Sequence, residues 1–405
     1  MTTTASDVLA VRVAPVAPIR ARASAAGRWR TMARIGLRMM FHDKIKLPGT
    51  LVGVVFAVIL IDQQSGAGLA VLYRNSMYVD HANADLWIAP IRTRTLAPGK
   101  FIQDVAVTQA RALDDVAWAE PILYGSATLS LPAGGSEPVT LVGTHGPAWR
   151  GGPFNVVAGD AGALREPDAM VFEDSDREKF GGLNLGSVRE INGHRAKAVA
   201  FTWGLVPFGT GGSYAFADLE YARDLLAVPR DQVSYVLVGV KPGRTADVVK
   251  RELERRLPNV TVLTGAQFRN SISHYVFFET PVGVQLVSTM IMALIVGLLV
   301  VGLMMFSTVV DNLREFGTLK AIGATTFDLV RLLWMQAAVY AVLGSLVGIA
   351  LAAQIANATR KPTLAIQVPP ALMLATLGGA LVMCVLASTF AALRIRSLEP
   401  AMVFR

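Results

Sequence analysis

Cysteine is nearly missing from this chain of 405 residues, which holds only Cys384. One cysteine excludes an intrachain disulfide, so any domain outside a membrane must be held by its own core. Cys384 lies within an uncharged run and reads as a small buried hydrophobe. Histidine is sparse as well: His42, His81, His145, His194 and His274 are scattered without metal-ligand spacing, so no metal site is expected. A phosphate-binding loop of the form G-x-x-x-x-G-K-[ST] is lacking, since "LAPGKF" has no first glycine and "GGLNLGS" no lysine. That excludes ATP hydrolysis by this route. No serine sits in G-x-S-x-G and no carboxylate pair stands out, which leaves no catalytic residue to name.

Charge is the next scarcity. Only 17% of residues are charged against 53% hydrophobic, and a mean hydropathy of +0.45 is too apolar for a purely soluble protein. Three uncharged runs are long enough to cross a bilayer core: Val282 to Val310, Leu332 to Thr359, and roughly Pro370 to Leu393. A fourth, Leu47 to Ile61, is shorter and ends on Asp62. More than 40 residues precede it and no clean cleavage site follows, so a retained helix is expected, with Asp62, Gln63 and Gln64 at the outer interface. The expected spans are 47–66, 281–310, 328–359 and 370–393, with a short outer loop over 360–369. Their faces read as wholly apolar, without a buried ion pair, which argues against a polar path through them.

Nine Lys or Arg precede Leu47 against two acids, which by the positive-inside rule places the N-terminus in the cytoplasm. Four spans return the C-terminal tail, 394–405, to the same side. Residues 67–280 carry 21 basic and 23 acidic side chains, a net of −2, and the rest of the chain carries +10. The pI of 9.7 therefore belongs to the membrane and cytoplasmic parts, and no basic-aromatic patch points to nucleic acid.

Residues 67–280 are long enough to fold as an α+β domain outside the membrane, with two subdomains. "ADLWIA" (84–89), "ATLSL" (127–131), "VTLVG" (139–143), "AMVFE" (169–173) and "SYVLVGV" (234–240) predict strands. Residues 244–264 predict a helix and then a strand, so 234–264 forms one β-α-β unit. The first 27 residues read as a disordered tail. Residues 28–46 fit an amphipathic helix on the membrane surface or, equally, the cytoplasmic start of the first span.

Between two apolar runs stands "DNLREFGTLKAIGAT", residues 311–325, within the expected cytoplasmic loop 311–327. Asp311 is placed to cap a helix that projects Arg314, Glu315 and Lys320, and Gly317 and Gly323 allow a close approach or a helix end. These charges alone fit a solvated hairpin as well as a docking site. Further on, Gly344 and Gly348, and in the next span Gly378 and Gly379, suit helix packing within one subunit or contact between two.

"LREFGTLKAIGAT", followed by "LLWMQAAVYAVLGSLVG", resembles the signature of the FtsX/MacB-type permeases of ABC transporters, and most the DevC branch. "NADLWI", "GVKPG" and the ending "RIRSLEPAMVF" are similar to that family too, and the likeness runs from about residue 30 to 405. It implies a four-helix membrane protein with a MacB-like two-subdomain insert, working as a homodimer in the bacterial inner membrane. It also implies a non-enzymatic subunit that binds no cofactor itself, with ATP and Mg held by a separate ABC ATPase. Carried over, Arg314, Glu315, Phe316, Gly317, Lys320, Ala321 and Gly323 are the contact set of an ATPase-coupling helix. The resemblance implies export by mechanotransmission, with a HlyD-type adaptor and a TolC-type outer-membrane channel as possible partners. An FtsX-like regulator of a cell-wall hydrolase is the alternative, and a membrane-anchored sensor without an ATPase a third. Relatives suggest a glycolipid, a peptide or macrolide, or a lipoprotein as substrate.

Overall fold

The computed structural model describes residues 33–34, 36–41, 46–146, 148–205, 212–358 and 369–396. The expected tail over 1–27, most of 28–46, residues 360–368 and residues 397–405 fall outside the described residues.

In chain order, a 36-residue helix α1 (Lys46–His81) leads into strand β1 (Leu86–Pro90), β2 (Ile102–Gln103), helix α2 (Val105–Arg111) and the long strand β3 (Val116–Ser130). Next come β4 (Ser136–Thr144), β5 (Val156–Gly159), β6 (Ala169–Glu173), β7 (Val188–Ile191), β8 (His194–Thr202) and β9 (Ser213–Asp218). Helix α3 (Leu219–Leu226), β10 (Gln232–Val233), β11 (Tyr235–Val240), α4 (Ala246–Arg256) and β12 (Val260–Thr264) complete the domain. The chain then stays helical through α5 (Gly265–Glu279), α6 (Pro281–Asp311), α7 (Leu313–Ala321), α8 (Thr326–Ala358) and α9 (Pro370–Arg396).

Four of these helices, α1, α6, α8 and α9, are long and apolar enough to cross a membrane. They form one bundle in which α1 lies against α6 and α8, and α9 against α8 and α6. Small residues set the spacing. A Cβ built on Gly344 would lie 2.5 Å from Val54 Cγ1, and one on Gly348 would lie 2.7 Å from Val58 Cγ1. Gly344 and Gly348 therefore serve packing between α8 and α1 of the same chain. Gly378 and Gly379 are exposed, with open space around them.

The domain between α1 and α6 has two lobes that share β3. Its first half pairs with β11, and β1 pairs with both β11 and β12, giving the antiparallel order β12-β1-β11-β3. With α2 and α4 this is a split β-α-β arrangement, so the predicted unit over 234–264 is present with β1 inserted between its two strands. The second half of β3 pairs with β4, and the ring closes through β9, β6, β8 and β7 back to β3. Closure leaves no open edge among these six strands. Leu129, Leu141, Phe172, Phe201 and Ala215 fill the second lobe's core.

The helix that carries the first span outlasts it. Instead of ending at 66, α1 runs without a break to His81, about 54 Å at 1.5 Å per residue, far beyond a hydrocarbon core of about 30 Å. Its last turns are held by the domain, because Val71, Met77, Tyr78 and Val79 are buried in the same core as Trp87, Tyr235 and Phe268. Asp62 also departs from expectation. It is fully buried and bonded to Thr376 of α9, so the bundle interior is not wholly apolar.

Candidate coupling site at the end of the bundle

At the bundle end opposite the β-domain, α6, α7 and α8 form a knee whose turns are closed by local hydrogen bonds. Asp311 does not cap α7: it is the last residue of α6, and Asn312 takes the N-cap position without a side-chain bond to the helix start. The Asn312 amide instead donates back to the Thr308 carbonyl at 2.8 Å.

The far end of α7 is a Schellman turn. Ala324 N–H donates to Leu319 O at 3.0 Å and Gly323 N–H to Lys320 O at 3.1 Å, with Gly323 at φ +104. Only glycine takes that backbone without strain, which is why the helix can stop there and reverse. Thr325 then caps α8 reciprocally: its hydroxyl accepts from Asp328 N–H at 3.2 Å, and Asp328 Oδ2 accepts from Thr325 N–H at 3.1 Å. Two helix ends in succession are thus closed within the ten residues 319–328, and the knee is stiff.

The predicted contact set divides by face. Phe316 is 1% exposed and belongs to the bundle core with Val309, Leu329, Leu332 and Leu333, and Gly317 is buried beside it. These two cannot meet a partner in this arrangement. They seat the helix, and burying the Phe316 ring contributes about 1.5–3 kcal/mol to that seating. Arg314, Glu315, Ala321 and Gly323 face outward, and Lys320 is half-buried.

Two residues that sequence reasoning passed over complete the outward face. Ile322 is 80% exposed and Phe327 is 65% exposed, two uncovered apolar side chains on the same helix–turn–helix connection as Arg314 and Glu315. A sequence signal existed, since an isoleucine directly before a helix-stopping glycine and a phenylalanine in the next helix's first turn sit on a connection too short to cover them. Apolar anchors ringed by charge are the usual make-up of a protein interface.

The knee is linked to the β-domain by α6 and, after a one-residue break at Thr280, by α5. From α7 the chain runs along α6 to Thr280, whose hydroxyl accepts from Gly283 N–H at 3.1 Å and donates to Val276 O at 2.6 Å, and continues as α5. Alongside, α1 carries Tyr78 into an aromatic core. The Tyr78 hydroxyl donates to Gly151 O at 2.6 Å, its ring stacks on Tyr214 at 5.9 Å and meets Trp87 edge-on at 6.1 Å. Tyr214 belongs to the second lobe and Trp87 to the first, so one residue of the span touches both. Among the described residues no cluster of His, Cys, Asp and Glu could hold a metal ion.

Comparison with known proteins agrees with this layout. Residues 287–400 match the family described as FtsX-like permease C-terminal, which covers α6 through α9 and the knee. Over 385 residues the chain is 26% identical to the uncharacterized ABC transporter permeases Rv0072 and MT0078 of two Mycobacterium tuberculosis strains, spanning 91% of this chain and 98% of each relative. The β-domain is similar to the periplasmic region of MacB from Actinobacillus actinomycetemcomitans, with 10% identity, 47% of this chain, 93% of that one and a TM-score of 0.37. It is also similar to the extracellular domain of the noncanonic ABC-type transporter YknZ from Gram-positive bacteria, with 14% identity, 45% and 99% coverage and a TM-score of 0.34. Overlaps of that size carry no weight in assigning the family. Residues 287–400 thus carry an FtsX-like permease C-terminal domain over the last three spans, and nearly the whole chain is similar to two ABC transporter permeases.

Proposed function

We propose that the chain is the permease subunit of an ABC exporter that passes motion of a separate ATPase through the bundle to the β-domain. An ABC permease works with an ATPase, and the surface offered to it is the knee, with Ile322 and Phe327 as apolar anchors and Arg314 and Glu315 as the charged rim. The observation that carries this reading is the stiff, capped knee at the end of α6 and α8, both packed against α1, which carries Tyr78 into the aromatic core. In this reading the knee lies in the cytoplasm, the β-domain faces the periplasm or cell exterior, and ATP and Mg are bound by the partner only.

Two permease chains flank the ATPase pair, and the open faces at Gly378 and Gly379 are where they meet. A DevC-like arrangement with a HlyD-type adaptor and a TolC-type channel follows from the motif likeness of the knee. The test is pull-down of the ATPase, and its stimulated turnover, by Glu315→Lys and Ile322→Asp in full-length protein inserted at normal level. Anchors at a desolvated interface are worth about 2 kcal/mol or more, so binding should weaken at least about thirtyfold with Ile322→Asp. Exposed charges on a plain hairpin shift nothing beyond about 1 kcal/mol, and wild-type binding by both variants refutes the docking site. Co-purification of a cell-wall hydrolase in place of an adaptor would reassign the same coupling to regulation.

A further inference from the structure

We propose that Asp62 is a protonated, neutral acid that latches α1 to α9 inside the bundle, and is thus a proton-binding site. Asp62 is 0% exposed, about 22 Å along α1 from Leu47 at 1.5 Å per residue, within the depth of a hydrocarbon core. Its partner Thr376 lies about 9 Å along α9 from Pro370, so the contact is below the helix end on both sides.

Thr376 Oγ1 is 2.5 Å from Asp62 Oδ1 and 3.0 Å from Leu372 O, and its single hydrogen can go to either oxygen. With the hydrogen in the back-bond to Leu372 O that a helical threonine habitually makes, a neutral Asp62 supplies the hydrogen of the shorter contact, an arrangement open only to the protonated acid.

An ionised Asp62 has nothing to pair with. Its Oδ2 has no partner among the described residues, and the adjacent Gln63, whose Nε2 is also unpartnered, does not reach it. No charged side chain occurs on α6 from 281 to 310, on α8 from 332 to 358, or on α9 from 370 to 393. The titratable groups on α8 and α9 within those limits are Tyr340 and Cys384, both toward the knee. On α5, which meets α1 at Gly68, they are Arg269, His274, Tyr275 and Glu279. Arg269 pairs with Asp80, and Glu279 with Arg94 and His274. On α1 itself the next base toward the domain is Arg74, three turns away. A buried, unpaired carboxylate is strongly disfavoured, whereas a neutral acid with one good hydrogen bond is tolerated. Loss of the proton therefore favours separation of α1 from α9, and α1 is the span that carries Tyr78 into both lobes.

Infrared difference spectra test the assignment on the full chain in lipid nanodiscs, wild type minus Asp62→Asn, at neutral pH in light and heavy water. A carbonyl stretch of a protonated carboxylic acid, shifted by deuterium and lost in Asp62→Asn, is expected. Thr376→Val should keep that band and displace it, because the acceptor is gone but the proton is not. The thermal midpoint of wild type should fall relative to Asp62→Asn as alkaline pH strips the proton. If Asp62→Asn does not insert, isotope-labelled aspartate in wild type reads the same band. Carboxylate bands alone at neutral pH overturn the proposal, and carboxylate bands that move with sodium would make the site a cation site instead.

Discussion

Replacing Gly344 by alanine puts the packing of α8 on α1 to a quantitative test. The added carbon would lie 2.5 Å from Cγ1 and 2.8 Å from Cβ of Val54, and Val54 is fully buried and cannot turn away. Carbon atoms attract at about 3.5–4.0 Å and repel well inside that distance, so the helices must part or Val54 must leave its rotamer. Overpacking of this kind costs about 1–3 kcal/mol. Against it stands the gain of about 1 kcal/mol from replacing a helical glycine by alanine. Gly302→Ala on α6 collects only that gain, because nothing lies within 4 Å of its added carbon. The two variants should therefore differ by about 1–3 kcal/mol, read as midpoints of denaturation in detergent. Val54→Ala combined with Gly344→Ala makes room for the new methyl, and the pair should show a favourable coupling of about 0.5–3 kcal/mol. Equal stability of Gly344→Ala and Gly302→Ala, with no coupling to Val54, would refute the close α8–α1 contact.

Gly323→Val forces a branched side chain into φ +104 with open space around it, so only backbone strain is felt; knee stability should drop by about 1–3 kcal/mol, read as faster hydrogen exchange over 313–330. Tyr78→Phe removes the donor to the buried Gly151 carbonyl and should cost about 1–3 kcal/mol in thermal unfolding of the β-domain, with the stacking on Tyr214 kept. Glu173 gives a pH dependence with a definite sign. Burial pushes its carboxyl above the ordinary range, only partly opposed by hydrogen bonds from Gly204 N–H, Leu205 N–H, Thr202 and Ser175. The folded value lies above the unfolded one, so its stabilisation is complete below the usual glutamate range and declines as pH rises through the raised value. Glu173→Gln should abolish that slope in unfolding midpoints taken across mildly acidic pH, while lowering stability throughout because its amide nitrogen cannot accept from those donors.

Hydrophobic runs made the spans legible, and where a strand is short and apolar the reading matched residue for residue, as for "AMVFE" at Ala169–Glu173. The upper part of α1 was hidden because Gln63, Gln64, Arg74 and Asn75 break the apolar signal; tertiary contacts with the domain, not periodicity, keep it helical. The first half of β3 was missed because Glu120 and Pro121 fall in mid-strand, although Pro121 still takes its place opposite Val236. Ring closure through β7 rests on pairings such as Leu129 with Ile191, far apart in the chain, which no local pattern announces. At the knee the glycine stop at Gly323 and the charges were readable. The division between Phe316 inward and Ile322 outward was not, since it depends on which side of a short helix the bundle occupies.

The second lobe leaves the first and returns to it at adjacent points. Ser234 N–H donates to Ile122 O at 3.0 Å, and Tyr124 N–H donates to the Ser234 hydroxyl at 2.9 Å, so the chain enters and leaves the second lobe one strand spacing apart, while Gly151 and Tyr214 of that lobe dock on Tyr78 of α1. An insertion with its ends together is interchangeable, because the host need only find both ends where it left them. The bundle, the knee and the first lobe make one chassis, and the ring of strands is an exchangeable head. Transplanting a head from another permease at this neck, with its docking surface for Tyr78 kept, should preserve ATPase coupling while changing what is engaged outside the membrane, so the two could diversify at different rates.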